Sequence, residues 1–260
     1  MAKNPKLAFT IICFSIALAA CGPPRVVLPS GSGTPFSDYV PVLAGARAAC
    51  EGVRTFQAEL GLSGGAAGQR LRGRIHAGLA PGALRLEGVA PFGSPIFILV
   101  ADGAEGTLLL PRDRRVLRNA PPEEILNALV GIRLGPDDLR SLLTGCVKAS
   151  AEPASARSYG PDWLAVDLAT GGTIYLRRLR GEWQIVAGRY GGLEIDYTAF
   201  ANARPSQIVL RGKDLNLMLA LGQIELNGDL PLQALVAVNV APGMSPLTLD
   251  ELRRAGPLGR

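Results

Sequence analysis

Histidine occurs once in the 260 residues, at His76, and that scarcity removes much of the chemistry a chain of this size could carry. A lone imidazole in the strand-like stretch "GRIHAGL", with no cysteine or carboxylate at ligand spacing, cannot build a metal site, so none is expected. Tryptophan occurs twice, at Trp163 and Trp183, and aromatic residues make up 5% of the chain; both tryptophans begin strand-like runs and read as core or hairpin anchors. Charge of one sign is not in excess. The formal charge is +5, with Lys3 and Lys6 at the extreme start and the remaining charges mixed, which argues against a nucleic-acid partner. No repeat of fixed period is visible, which excludes solenoids and propellers.

Other site chemistry is missing as well. The carboxylate pairs Glu123-Glu124 and Asp137-Asp138 stand at helix starts, where the positive end of the dipole accounts for them. The stretch "GGAAGQR" lacks the lysine and hydroxyl of a phosphate loop, and "SGSG" does not follow a strand. No enzyme and no cofactor are expected. The basic runs Arg112-Asp113-Arg114-Arg115 and Arg177-Arg178-Leu179-Arg180 read as solvated hairpin tips, with contact to anionic headgroups as the alternative.

What is present begins with an address. Residues 1–20 combine a basic start with an apolar stretch from Leu7 to Ala20, about 14 residues, too short to span a bilayer but suited to a secretory signal. It ends in Leu18-Ala19-Ala20-Cys21, which resembles the bacterial lipobox. That resemblance implies cleavage before Cys21 and acylation of its thiol and amine; several acyl chains make a lasting anchor. Gly22, where an aspartate commonly signals inner-membrane retention, favours the outer membrane. Residues 21–35, rich in Pro, Gly and Ser, read as a flexible lipidated tether, and 36–260 as a single domain. Cys50 and Cys146 then remain in an oxidising compartment, and two outcomes stand open: a disulfide, or two separately buried thiols.

In the mature chain, "FSDYVPVLAGARAACEG" (36–52) has apolar residues at Val40, Leu43, Ala44 and Ala48, near helical spacing. After it the period changes to two. Two paired strands (53–64 and 69–80) and four more (from "GALRLEGVA" through "RRVLRNA") give six strands before residue 120. Helices follow at Pro121-Pro122-Glu123-Glu124, with Ile125, Ala128 and Leu129 on its apolar face, and at Gly135-Pro136-Asp137-Asp138, with Leu139, Leu142 and Leu143. Strands then resume from "WLAVDLA" to "LQALVAVNV", and "SPLTLDELRRAG" holds a short capped helix. The pattern predicts an α+β domain, a curved antiparallel sheet or partial barrel wrapped around its helices.

Several strands are apolar on both faces. In "SPIFILVA", Ile96, Ile98 and Val100 alternate with Phe97 and Leu99, where a strand with one wet face would alternate apolar with polar. Either helices and loops cover both faces, or one face lines a cavity for a lipid-like guest.

The stretches "APFGSPIFIL" (90–99), "PPEEILNALVGIRLGPDDLRSLLTG" (121–145) and "WQIVAGRYGGLEIDY" (183–197) resemble the outer-membrane lipoprotein receptor LolB and its LolA–LolB superfamily relatives, over roughly residues 45–230. The part from about Leu232 onward, and the many glycines, depart from that family. The resemblance implies an open half-barrel formed by a curved antiparallel sheet, with helices packed in its concave face. It also implies that the chain binds acyl chains of lipoproteins delivered by a periplasmic carrier of LolA type, facing the periplasm from the outer membrane as a monomer. The family's membrane-inserting turn carries an exposed apolar residue, and Phe92, flanked by Pro91 and Gly93, holds the matching position. Ile96, Phe97, Ile98, Leu99 and Val100 are the candidate cavity residues. The alternative is an envelope lipoprotein that acts as a sensor, assembly or scaffold module and binds a protein partner instead of transporting lipid.

Overall fold

A sheet of fifteen strands dominates the computed structural model, which describes residues 24–90, 95–147 and 151–255. The expected signal segment, Cys21 and the Pro91–Gly93 turn with Phe92 lie outside the described residues. In chain order the elements are β1 (Thr34–Pro35), α1 (Tyr39–Glu51), β2 (Phe56–Ala66), β3 (Gln69–Ala80), β4 (Ala83–Val89), β5 (Pro95–Asp102), β6 (Glu105–Leu110) and β7 (Arg115–Ala120). Two helices follow, α2 (Pro122–Val130) and α3 (Pro136–Thr144). Then come β8 (Pro153–Tyr159), β9 (Trp163–Leu168), β10 (Thr173–Leu179), β11 (Glu182–Tyr190), β12 (Leu193–Ala201), β13 (Arg204–Gly212) and β14 (Leu215–Leu226). The chain ends with α4 (Leu232–Val236), β15 (Ser245–Pro246) and α5 (Leu249–Ala255).

The sheet order is β1-β8-β9-β10-β11-β12-β13-β14-β2-β3-β4-β5-β6-β7-β15, antiparallel at every pairing except the short parallel β15–β7 contact. Its two edges do not meet. The result is the α+β half-barrel, an open curved sheet with α1, α2 and α3 against one face. The meander forms because nearly every connection is a tight turn; at the β2–β3 tip Ala67 and Gly68 both take positive φ (47° and 77°), whose twist matches that of the flanking strands.

The helix-packed face and the outer face are both buried over much of the sheet. Leu99 is 0% exposed and its neighbour Val100 only 4%, although they point to opposite sides. On the inner face one cluster joins Leu60, Leu79, Leu84, Leu99 and Leu108 of the strands with Ile125, Leu129, Leu142 and Leu143 of the helices. On the outer face two chain segments provide the cover. Leu230, Leu235 and Val236 pack on Ala80 and Ala83, with α4 against β3, β4 and β5. The chain then rounds the β7 edge: the Ser245 and Leu247 amides donate to the Arg114 and Val116 carbonyls, and α5 packs on α2. A capping box starts α5, the Thr248 amide donating to Glu251 Oε2 (2.8 Å) and the Glu251 amide to Thr248 Oγ1 (3.2 Å). The Thr248 amide, then the Thr248 hydroxyl donating to the same Oε2 (2.9 Å), then the Arg115 guanidinium hold the Glu251 carboxyl down at about 2.

The second outer cover is residues 24–33. Pro24 offers its carbonyl to Arg211 Nη2 (3.2 Å), and the Val26 amide donates to Asp196 Oδ2 (3.4 Å). At the other end β1 pairs with β8, and the Phe36 amide donates to Ala156 O. Ala165 and Ala187, both buried, lie on the same face between these attachments. The described part of the expected tether therefore lies along the sheet as a strap. Its anchor is a buried ion cluster: Asp196, 1% exposed, accepts from Arg189 Nη2 at 2.7 Å and from Arg211 Nη1 at 2.6 Å.

Three expectations are corrected. The "LQALVAVNV" stretch is not a strand: Pro231 sets up the single-turn helix α4, which places Leu235 on the sheet, and no strand follows until Ser245. In α1 the buried stripe is Leu43, Arg47 and Cys50, with Val40 55% exposed and Ala44 and Ala48 outward. Arg47 reads as polar in sequence yet is buried, where its Nη2 donates to Ala151 O (3.0 Å) and burial lowers its pKa. Finally, β8 gave no strand signal because it lies one place from the sheet edge and only Ala156 in it is buried.

Cys50 and Cys146 are joined, with Cα atoms 6.0 Å apart and a sequence separation of 96, tying the end of α1 to the residue after the C-cap of α3. Reduction, or a Cys50→Ser/Cys146→Ser pair, should lower stability by up to ~4.7 kcal/mol, the chain-entropy limit for a loop of about 100 residues. Paired thermal melts with and without reductant check this, and unchanged melts would contradict it.

Asp196→Ala should cost about 3–5 kcal/mol, because it removes the buried carboxylate that Arg189 and Arg211 share. Urea unfolding measures the loss.

Candidate functional site

The concave face is occupied mainly by α2 and α3, and their sequences explain why. Each begins with proline at a position that needs no amide donor, followed by two acidic residues at the positive end of the dipole. Each ends at a glycine in the left-handed region, Gly131 (φ 76°) and Gly145 (φ 100°), which turns the chain away. Ile125, Leu126, Leu129, Ile132, Leu134, Leu142 and Leu143 thereby enter the main cluster.

α3 is fixed in place. Tyr197, fully enclosed on β12, donates its hydroxyl to the Leu142 carbonyl at 2.9 Å, and burial pushes that phenol far above its ordinary range. Arg140 Nη1 donates to the Val53 carbonyl, and Cys146 holds the residue after the helix. α2 is held differently. It packs on β6 and α5, and Glu124 pairs with Arg253 (2.9 Å) and with Arg133.

The candidate cavity residues separate by face. Phe97 and Leu99 point into the helix-packed cluster, and the Phe97 ring lies over Gly88, where a Cβ would overlap it. Ile96 packs partly against the same cluster. Val100 faces outward beside Arg85, whose Nη1 donates to the Ala237 carbonyl at 2.6 Å, and Ile98 shares that outer side. The sequence left open which face is concave; these contacts assign Phe97 and Leu99 to it. The structure brings these five residues into packing positions, and they do not line the clefts described next.

The open space lies at one end of the half-barrel. A cleft of ≈ 610 Å³ runs between the end of α2 and the β11–β12 and β13–β14 turns. Ile132, Tyr190, Leu193 and Leu215 supply its apolar wall; Arg133, Lys213 and Asp214 supply charge at its rim. Its volume falls in the ordinary range for small-molecule sites. The Asp214 carbonyl accepts from the Ala67 amide (2.7 Å), binding the β13–β14 and β2–β3 turns into one rim. A second hollow of ≈ 460 Å³ adjoins it, sharing Lys213, Asp214 and Leu215. Tyr190 is kept neutral: burial first, then the Asp138 carboxylate, raise its phenol well above the usual value. The meander brings β4 and β5 to this same end at Ala90 and Pro95, beside the segment that contains Phe92.

Sequence reasoning did not single out the cleft residues, although a signal existed. "RYGGLEI" and "VLRGKDLNL" each place a glycine-bearing turn between apolar strands, and "NALVGIRLG" places Ile132 and Arg133 in a helix-to-helix connection. None of these says which turns share an end.

Other chemistry is sparse. His76 stands half exposed on β3, with Nε2 3.7 Å from Glu59 Oε2. Among the described residues no three metal-ligating side chains stand together, and no helix is long and apolar enough to cross a membrane.

Comparison with solved structures places this architecture in a known fold. The chain is similar to a LolA superfamily protein from Nitrosomonas europaea at 12% identity, with a TM-score of 0.51, over 75% of this chain and 97% of that one. It is similar also to a DUF1329 family protein from Desulfovibrio piger at 10% identity, with a TM-score of 0.50, over 74% of this chain and 96% of that one. The fold is thus the LolA-like open half-barrel. No family model and no curated protein matches the sequence.

Tyr197→Phe should lower stability by about 0.5–1.5 kcal/mol, the net worth of one lost hydrogen bond, because the Leu142 carbonyl keeps the Gly145 amide as a donor at 3.3 Å. A lower melting temperature with an unchanged circular-dichroism spectrum checks that this hydroxyl holds α3 to the sheet.

Proposed function

We propose that this protein is an acyl-anchored envelope lipoprotein that accepts the acyl chains of lipoproteins, or lipids of similar shape, and helps insert them into the outer membrane as a LolB-like receptor. The observation that carries the reading is the ≈ 610 Å³ cleft with an apolar wall at the mouth of a LolA-like half-barrel. Cys21 supplies the anchor, and a periplasmic carrier of LolA type supplies the cargo. Transfer needs no covalent step: apolar surface moves from one cover to another, driven by the water it leaves.

The chain enters between α2 and the β11–β12 turn. Ile132, Leu193 and Leu215 meet its first methylenes, each contributing about 0.8 kcal/mol on burial. A longer chain goes deeper only as α2 swings outward on Gly131, exposing the Phe97 and Leu99 side of the sheet. Phe92 and its neighbours Pro91 and Gly93 fall in the segment joining β4 to β5, and their role is contact with the bilayer. Partner proteins other than the carrier, and any assembly beyond a monomer, are not required.

A second reading is favoured by the close filling of the concave face by the protein's own helices. In it the domain is a sensor or scaffold that binds a protein partner and carries no lipid.

Titration of the delipidated protein with a palmitoylated peptide, followed by native mass spectrometry, separates the two. Transport predicts a one-to-one acyl complex that Leu193→Asp weakens by about tenfold or more, the equivalent of roughly 1.4 kcal/mol. Absence of any acyl complex favours the scaffold. Phe92→Glu should leave melting and peptide binding intact while reducing delivery of lipoprotein to liposomes; unchanged delivery contradicts the role given to that turn.

A further inference from the structure

The strap and the charge cluster beneath it have no part in the cleft, yet they end beside it. Asp196 and Arg211 are 1% and 7% exposed on the outer face, and the carbonyl that Arg211 holds belongs to Pro24. Arg211 immediately precedes Gly212, which lines the cleft. The strap therefore delivers the start of the described chain to the mouth end of the half-barrel, and its far attachment, β1 on β8, lies elsewhere along the sheet.

Chain length turns this placement into an orientation. Cys21 lies three residues before Pro24, a reach of about 10 Å when extended. Were residues 21–35 a free leash, the same acyl group could stand roughly 50 Å from the domain. Along the strap Arg25 and Val27 point into solvent, Val27 at 85% exposure. A cation and a bare apolar side chain here suit a phospholipid surface lying against this end.

We infer that the strap is an orienting device: resting on the reading that Cys21 is acylated, the Asp196–Arg211 clamp holds the cleft end of the domain against the lipid surface and turns the opposite end away. The short reach keeps Lys213, the β13–β14 turn and the mouth of the cleft within contact distance of headgroups. Acyl chains then leave the cleft directly into the bilayer. Trp163 and Trp183 stand at the other end of their strands, with Arg177 and Arg178 stacked on their rings at 5.3 and 4.8 Å. The two tryptophans therefore report the far end.

Brominated phospholipid vesicles read this orientation. Acylated full-length protein is reconstituted in them, both as the natural sequence and as Lys213→Trp, which adds one indole at the mouth end. The inference predicts that bromine leaves the emission of Trp163 and Trp183 unchanged and abolishes the emission added at position 213. It also predicts that a Gly/Ser spacer of about 20 residues between Gly22 and Pro23, roughly 25 Å in r.m.s. span, restores that added emission. The spacer enters ahead of Pro24, the first strap residue held by the Arg211 clamp, and a thermal melt of the variant that matches the natural sequence controls for folding. Quenching of the natural tryptophans, or equal quenching at position 213 with and without the spacer, overturns the inference. A mature protein whose mass shows no acyl groups on Cys21 removes the anchor itself, a failure of the functional reading that is distinguishable from the other two.

Discussion

Strands that are apolar on both faces must be covered on both faces, and much of the remaining structure follows from that constraint. Leu99 and Val100 are adjacent, point opposite ways and are both buried. Each buried Å² of apolar surface contributes about 25 cal/mol, so a fifteen-strand sheet left bare on either side would lose far more than the marginal stability of a domain. α1, α2 and α3 cover the concave face, while the strap at 24–33 and the tail from Leu230 to Val236 cover the outer one. A segment that looks like a linker in the sequence, 24–33, and one that looks like a strand, around Leu235, serve as cladding.

The covers are not equally fastened, and the functional reading depends on that difference. α3 carries the Tyr197 hydroxyl bond, the Arg140 bond to Val53 and the neighbouring disulfide, which reach the sheet, the α1–β2 connection and α1. α2 packs its apolar face on β6 and α5, and its polar ties are the ion pairs of Glu124 with Arg253 and Arg133. The cleft opens where α2 stops, between Ile132 and the β11–β12 turn. A site at the margin of a cover suits a ligand that enters by displacing it.

Much of the fold was legible in the sequence because its rules are local. Alternation and glycine-bearing turns marked six strands before residue 120, and proline-plus-acid starts marked α2 and α3. What failed was information held by other parts of the chain. The buried stripe of α1 includes Arg47, whose guanidinium meets the carbonyl of Ala151, 104 residues away. "LQALVAVNV" has strand composition, but no edge is free to pair with it where it lies on the outer face. Residues 24–33 lack any apolar period because backbone groups and Asp196 hold them. The cleft was hidden for a related reason: its walls come from three turns and a helix end far apart in sequence.

The account's central claim is that α2 is a removable cover and the rest of the cladding is not. Hydrogen exchange of the protein with and without a palmitoylated peptide tests it most directly. The account predicts faster exchange across Pro122–Val130 on binding, slower exchange at Tyr190–Leu193 and Gly212–Leu215, and no change in α3 or at Val26. Exchange in α2 that stays the same or slows while the peptide is bound would contradict it.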